Sequence, residues 1–323
     1  MEQAIWMTKL PEITNEAAFE RWRSHPDQWQ PLVNDIAREA GIAPSVLSQF
    51  DNSTNLVVGL DDRLILKLFP PIYETQFISE RDALWYLAGK MDVPIPSIEA
   101  EGERDGWGWL IITKLDGVVG SIAWPRLPEE EKKRVLEQIG VAISSMQALP
   151  PGDLSTRGPS WRDFIKGQID GCFERHQQLG MSSGFLSDLR LLLADAPSII
   201  PLDAPPVILT GDWIPQNILL SEDRGIWKLA GVIDFGDVVT GWGEYDLLAP
   251  TAFMCAGSHG RTQSLLRGYG VVDGECDDAM RRRLLTLTLL HAESDLRKID
   301  IDGWEERATR LFDLGDIIWP RAG

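Results

Sequence analysis

The stretch VLSQFDNSTNLVVGLDDRLILKLF, residues 46–69, sets the first limit on what this chain can fold into. Its apolar residues come in short alternating or continuous runs separated by turn formers, a strand pattern and not a helical one. The spacing predicts strands at about 46–51, 55–60 and 63–69, with Asp61-Asp62 as a hairpin turn and Pro70-Pro71 closing the third. A helix is expected near 74–90, where Phe77, Ala83, Leu84 and Leu87 form an apolar stripe. VPIPSIEAEGE and GWLIITKLDG then read as extended again. Upstream, residues 14–41 read as helical, opened by Thr14-Asn15, split at Pro26 and closed at Gly41.

From about residue 128 the pattern turns mainly helical, over 128–148, 160–180, 183–196, 244–258, 260–270, 276–299 and 303–318. Two short strands interrupt it, at the apolar runs Val207–Leu209 and Ile218–Leu220. The order predicts an α+β chain in two lobes. Residues 1–113 make a small β-sheet lobe with one key helix and a helical extension over 1–45, and residues 114–323 make a larger, mainly helical lobe. A hinge near 113–121 is a usual place for a ligand cleft.

The chain of 323 residues carries 31 Lys and Arg against 49 Asp and Glu, a net charge of −18. That balance argues against a nucleic-acid partner, which calls for a basic footprint, and is compatible with a cationic small substrate. Cys172, Cys255 and Cys276 are far apart and odd in number, with no Cys-x-x-Cys pair, so neither a zinc site nor a disulfide framework is indicated. No basic, then apolar, leader opens the sequence and no run of about 18 apolar residues occurs. The expectation is a cytoplasmic protein without a membrane span.

Chemistry concentrates in two places. VILTGDWIPQNILL, residues 207–220, puts Asp212 and Asn217 five apart between two apolar runs. LAGVIDFGD, residues 229–237, puts Asp234 directly after another. Phosphoryl transfer needs a carboxylate to accept the proton of an attacking hydroxyl, and hard oxygen ligands for Mg²⁺. Asp-x-x-x-x-Asn followed by Asp-Phe-Gly is the spacing in which kinases supply them. Asp212 fits the base, and Asn217 and Asp234 fit the metal ligands. A plain Asx turn or helix cap is the simpler alternative for Asp212.

The N-terminal half offers an independent check. Lys67 is a lone charge in the apolar strand LILKLF, and a buried lysine needs an anionic partner. Glu80, on the following helix, fits that role, with Asp82 as a rival expected on another face. Such a pair holds nucleotide phosphates in kinases; a strand lysine reaching out to solvent is the alternative. Ser53, Thr54 and Asn55 lie between two strands and offer hydroxyls and backbone N–H groups to phosphate. Among the 13 tryptophans, Trp161 and Trp213 are candidates for lining a substrate pocket, and Glu293 and Asp295 for meeting a cationic substrate.

TGDWIPQN, IDFGD and GWGEYDLLA together resemble the aminoglycoside phosphotransferases and, more broadly, the choline-kinase-like small-molecule kinases. Thr210 stands where that family usually has His. The resemblance implies a bilobal protein-kinase-like fold, ATP and Mg²⁺ as cofactors and a hydroxylated small molecule as acceptor. It implies that backbone around Thr113–Leu115 holds adenine, and that Asp246 braces the catalytic loop through backbone hydrogen bonds. The acceptor stays open between an aminoglycoside-like compound and a metabolite such as choline, homoserine or a sugar. A catalytically weak nucleotide-binding pseudokinase is the non-enzymatic alternative.

Overall fold

The computed structural model describes residues 9–50, 53–274 and 276–321. Its internal contacts separate two units. The first holds Met1–Lys90, Pro94–Asp116 and Ile233–Asp237; the second holds Met91–Val93, Gly117–Val232 and Val238–Gly323. The segment with the Asp-Phe-Gly motif therefore groups with the N-terminal sheet despite its distance in sequence.

The first unit is built on an antiparallel sheet of order β1-β2-β3-β5-β4. The strands are β1 (Leu47–Phe50), β2 (Leu56–Leu60), β3 (Leu64–Phe69), β4 (Ile98–Arg104) and β5 (Trp107–Thr113). The first three lie where the runs of residues 46–69 place them. Asp61 turns β2 into β3 with a left-handed backbone, φ 53°, and its carboxylate accepts from the N–H groups of Ser45 and Val46.

Alternation along the strands gives the sheet two apolar faces. Leu56, Val58 and Leu60 of β2, Leu66 and Leu68 of β3, and Trp107, Trp109 and Ile111 of β5 share one core with the N-terminal helices. Those are α1 (Glu16–Arg23), capped by Asn15, and α2 (Pro26–Glu39), which Pro26 starts. Proline lacks an N–H that the first turn of a helix does not need. Phe19, Trp22, Trp29, Leu32, Val33 and Ile36 are their core residues. The other face carries Lys67 and receives α3 (Glu74–Leu87), on which Phe77, Ala83, Leu84 and Leu87 are all buried.

Gly108 of β5 packs tightly against α3: a Cβ there would fall within the Phe77 ring. Gly108→Ala is expected to destabilise the protein by about 1–3 kcal/mol through overpacking, read as a lower urea midpoint. An unchanged midpoint would show that α3 can shift.

The second unit begins with β6 (Val118–Val119), α4 (Gly120–Ala123), α5 (Glu129–Gln147), α6 (Trp161–Gln178) and α7 (Ser183–Ile199). Next come β7 (Val207–Leu209), β8 (Ile218–Asp223), β9 (Ile226–Val232), β10 (Val239–Gly241) and α8 (Leu248–Pro250). It ends with α9 (His259–Tyr269), α10 (Asp278–Leu290), α11 (Trp304–Arg307) and α12 (Asp313–Ile318). The strands flanking TGDWIPQN do not pair with each other. β7 pairs with β10, and β8 lies between β6 and β9. The loop therefore crosses from one small sheet to another. Side chains of α5 hold the second sheet: Glu131 accepts from the Trp227 N–H and Gln138 from the Leu229 N–H, both at 2.8 Å.

Three helical expectations are corrected. Residues 244–258 form short 3₁₀, α and π turns. Pro250 withdraws a donor there, the Thr251 hydroxyl donates back to Leu247 and Leu248, and Ala256 ends the segment at φ 46°. The helix expected over 276–299 stops at Leu290. That over 303–318 breaks between α11 and α12, where the Asp313 carboxylate takes the N–H groups of Thr309 and Arg310. No helix among the described residues is long and apolar enough to cross a membrane.

Candidate active site

The first cluster lies in the sheet unit. Lys67 is central in β3, paired across to Val57 of β2 and Leu110 of β5. Its Nζ lies 2.5 Å from Glu80 Oε2 on α3 and 3.1 Å from Asp234 Oδ1. Glu80 is 1% exposed, whereas the Asp234 side chain is 47% exposed, so one anion is sealed in and the other faces outward. The rival Asp82 is turned to its neighbour Arg81.

Asp234 has a left-handed backbone, φ 67°, an uncommon conformation for a residue with a side chain. α3 steadies the segment that follows. Ser79 Oγ donates to the Phe235 carbonyl at 3.4 Å, Phe235 is fully buried, and Gly236 packs near Gln76. Burial alone would drive the Lys67 ammonium to give up its proton, but Asp234 and Glu80 outweigh it and hold the group charged. Burial raises Glu80 to about 7, against the pull of Lys67. Lys67 in turn holds the Asp234 carboxyl below the usual range.

The second cluster lies in the helical unit. Gly211 takes φ 75° to turn the chain out of β7. Ile214 N–H donates to the Asp212 carbonyl, and Asn217 N–H to that of Ile214, closing a tight turn with Pro215 at the start of its 3₁₀ segment. This turn brings Asn217 back onto Asp212. Asn217 Nδ2 donates to Asp212 Oδ2 at 2.7 Å and to the Asp212 carbonyl at 3.2 Å. With its NH₂ so engaged, the amide of Asn217 has its carbonyl oxygen as the atom for a cation.

Asp246 braces the loop from below. Its carboxylate accepts from the N–H groups of Gly211 (2.8 Å) and Thr210 (3.2 Å) and from the Thr210 hydroxyl (3.4 Å). That hydroxyl in turn accepts from the Asp212 N–H at 3.4 Å. Thr210 thus ties Asp246 to the residue carrying the candidate base. Gln147, which the sequence reading did not reach, donates to the Gly243 carbonyl and to Asp246. It lies 99 positions from Asp246, beyond any local pattern.

Burial raises the Asp246 carboxyl to about 6. The folded protein therefore keeps this proton to a higher pH than an unfolded aspartate, which releases it near 4. Between these values the folded state binds more protons, so the Asp246 contribution to stability declines as pH rises through the window. Wild type is expected to lose on the order of 2–3 kcal/mol relative to Asp246→Asn between pH 4 and pH 7, read from urea unfolding at both. A pH-independent difference would contradict this assignment.

Other predicted residues are distributed unevenly. The Ser53 hydroxyl donates to the carbonyls of Asn55 (2.7 Å) and Phe50 (3.3 Å), so it serves the loop itself; Thr54 is exposed. Asp51 and Asn52 of that loop lie outside the described residues. Thr113 commits its N–H to Ser97 and accepts from the Ser97 N–H through its hydroxyl, and the Lys114 N–H binds Arg63. No hydrogen bond among the described residues engages Leu115.

Trp161 and Trp213 are buried, so neither presents surface as a pocket wall. Asp295 is held by Arg297 and, with the exposed Glu293, lies on turns and not on a helix. His291 follows the end of α10 and stacks on Tyr245 at 5.4 Å. Among the described residues no three His, Cys, Asp or Glu side chains gather into a metal cage. Taken each within its own unit, the amide oxygen of Asn217 and the half-exposed carboxylate of Asp234 are hard oxygen donors of the kind that Mg²⁺ takes.

The sequence profile of the phosphotransferase enzyme family matches residues 44–285, three quarters of the chain, which include Lys67, Glu80, Asp212, Asn217, Asp234 and Asp246. The chain belongs to the phosphotransferase enzyme family. It is a small-molecule kinase of that family, as the motifs lead one to expect. Solved structures with this fold include the GDP complex of wild-type aminoglycoside 2'-phosphotransferase-IIIa, 18% identical, covering 95% of this chain and 97% of that one at a TM-score of 0.66. The GDP and kanamycin complex of APH(2")-IIia is 19% identical over 81% of this phosphotransferase and 89% of that chain, with a TM-score of 0.66. Macrolide 2'-phosphotransferase MphH from Brachybacterium faecium is 16% identical over 80% and 89%, with a TM-score of 0.58. At these identities the likeness establishes the protein-kinase-like α+β fold. No curated protein sequence matches the chain.

Proposed function

We propose that this phosphotransferase moves the γ-phosphoryl group of a nucleoside triphosphate, ATP by the sequence reading, to a hydroxyl of a small molecule. The observation that carries the reading is Lys67 held between Glu80 and Asp234 at 2.5 and 3.1 Å. A sealed carboxylate keeps the ammonium charged and in place, and an outward one is offered to a cation. The GDP found with two relatives of this fold supports nucleotide use and admits GTP beside ATP as donor.

Lys67 contacts the nucleotide phosphates and Glu80 holds it. Leu115 supplies the backbone donor for the base, since the N–H groups of Thr113 and Lys114 are engaged elsewhere. Ser53 and Thr54 contribute through backbone N–H, because the Ser53 hydroxyl is taken up within its own loop. Asn217 and Asp234 would hold Mg²⁺, which neutralises phosphate charge as the transfer proceeds. Asp212, oriented by Asn217, accepts the proton of the acceptor hydroxyl. The hydroxyl oxygen forms the new bond to the γ-phosphorus, and the bond to the β-phosphate bridging oxygen breaks with its electron pair leaving on the nucleoside diphosphate. Because such transition states are loose, positioning and charge neutralisation outweigh base strength.

For the acceptor, a cationic aminoglycoside-like compound is the leading class, supported by the net charge of −18 and by the kanamycin bound to one relative. Incubation with γ-labelled ATP or GTP across aminoglycosides, macrolides, choline, homoserine and sugars tests the reading. Label on an aminoglycoside supports it in full. Label on another class keeps the reaction and replaces the acceptor. Nucleotide binding without label on any acceptor favours a pseudokinase.

A further inference from the structure

We propose that Arg23, on a helix outside the family-matched part of the chain, is a positioning residue for the nucleotide phosphates. The inference rests on the phosphotransferase reading above. The matched region begins at residue 44, whereas α1 ends at Arg23. From there the guanidinium reaches the loop that enters β2. Its Nη1 donates to the carbonyls of Ser53, Thr54 and Asn55, the last two at 3.3 Å. Its Nε and Nη2 are held by Glu20 at 2.9 and 2.7 Å, and it lies over the Phe19 ring. The Arg23 carbonyl accepts from Trp29 Nε1 (3.0 Å) and Gln49 Nε2 (3.2 Å). The residue is therefore fixed at both ends, its backbone carbonyl to α2 and β1 and its guanidinium to Glu20 and the loop.

Three carbonyls converging on one cation is an unusual arrangement, and charge-assisted bonds of this kind are the strong ones. It has a directional consequence. In a trans peptide the C=O and the following N–H point opposite ways, so drawing the carbonyls of Ser53 and Thr54 onto Arg23 turns the N–H groups of Thr54 and Asn55 away from it. Those two N–H groups are among the donors that this loop can offer to phosphate. Ser53-Thr54-Asn55 contains no glycine, so the loop is held by bonds and not by backbone freedom: the Ser53 hydroxyl from within and Arg23 from outside. The loop is also keyed to the lysine site. Asn55 Nδ2 donates to Gln76 Oε1 at 3.1 Å, and Gln76 lies on α3 beside Gly236, four positions before Glu80.

The test uses the full-length protein with Mg²⁺ and compares binding of the non-hydrolysable imidotriphosphates of adenosine and guanosine with binding of the bare nucleosides, by calorimetry or competition. Arg23→Gln is expected to weaken triphosphate binding about tenfold and to leave nucleoside binding unchanged. Arg23→Lys keeps the charge without the fork and shifts in the same direction, which serves if the glutamine variant does not fold. Glu39→Gln cuts a different tie of the extension, that to Arg104 of β4, and is expected to bind both like wild type. The inference is overturned if Arg23→Gln and Arg23→Lys bind triphosphate like wild type, or lose nucleoside and triphosphate equally. It is also overturned if Glu39→Gln matches their loss. Wild type that binds neither triphosphate defeats the phosphotransferase reading and this inference together; wild-type binding with an unchanged Arg23→Gln defeats this inference alone.

Discussion

Asp212→Asn is expected to lower kcat by roughly 10²–10⁴, the range for removal of a positioned general base, with nucleotide affinity within about threefold of wild type. The substitution is conservative by geometry. An amide oxygen at position 212 can still accept from Asn217 Nδ2, which now donates at 2.7 Å, and the backbone bonds of the turn do not involve the side chain. What is lost is the negative charge and the basic lone pair assigned to the acceptor proton. Nucleotide contacts are assigned to the sheet unit, so binding and turnover should separate. Steady-state kinetics with an accepted substrate, beside nucleotide titration, reads both. Transfer at the native rate would remove Asp212 from the chemistry and leave it as a turn residue.

Asp234→Asn is the second large effect. Asparagine tolerates the left-handed region at least as well as aspartate does, so the φ of 67° is kept and no backbone cost confuses the result. Lys67 retains Glu80 at 2.5 Å, and the sheet should stay folded. The lost group is the outward carboxylate assigned to Mg²⁺. A fall in kcat of roughly 10³ corresponds to the several kcal/mol of charge stabilisation that a metal supplies. Its signature is a higher Mg²⁺ concentration at half-maximal rate. A lower rate with an unchanged Mg²⁺ requirement would mean that Asp234 acts only through Lys67.

Much of this was legible in the sequence, for identifiable reasons. Strands of 46–69 alternate against two buried faces, so their pattern carries both position and direction. Lys67 was conspicuous because a charge in an apolar strand needs a partner, and Glu80 is where α3 supplies one. Asp212 and Asn217 are brought together by a five-residue turn, a local event that spacing can report. What was hidden is non-local or decided by side-chain competition. β10 is three residues long and has no period to read. Helix α10 ends because the apolar run stops at Leu290 and the Asp295 side chain then takes the Arg297 N–H for itself. Asp313 breaks the last helix in the same way. Arg23 and Gln147 act on loops 30 or more positions away, and nothing in their own surroundings marks them.

The central claim is that a phosphoryl group, and no other part of the nucleotide, passes to an acceptor hydroxyl. Mass spectrometry of an acceptor incubated with the protein, Mg²⁺ and ATP or GTP tests it most directly. The expected product is an acceptor heavier by one HPO₃ unit, formed in equal amount with nucleoside diphosphate and strongly reduced when Asp212→Asn replaces wild type. An acceptor carrying a nucleoside monophosphate, or diphosphate released with no acceptor modified, would contradict it.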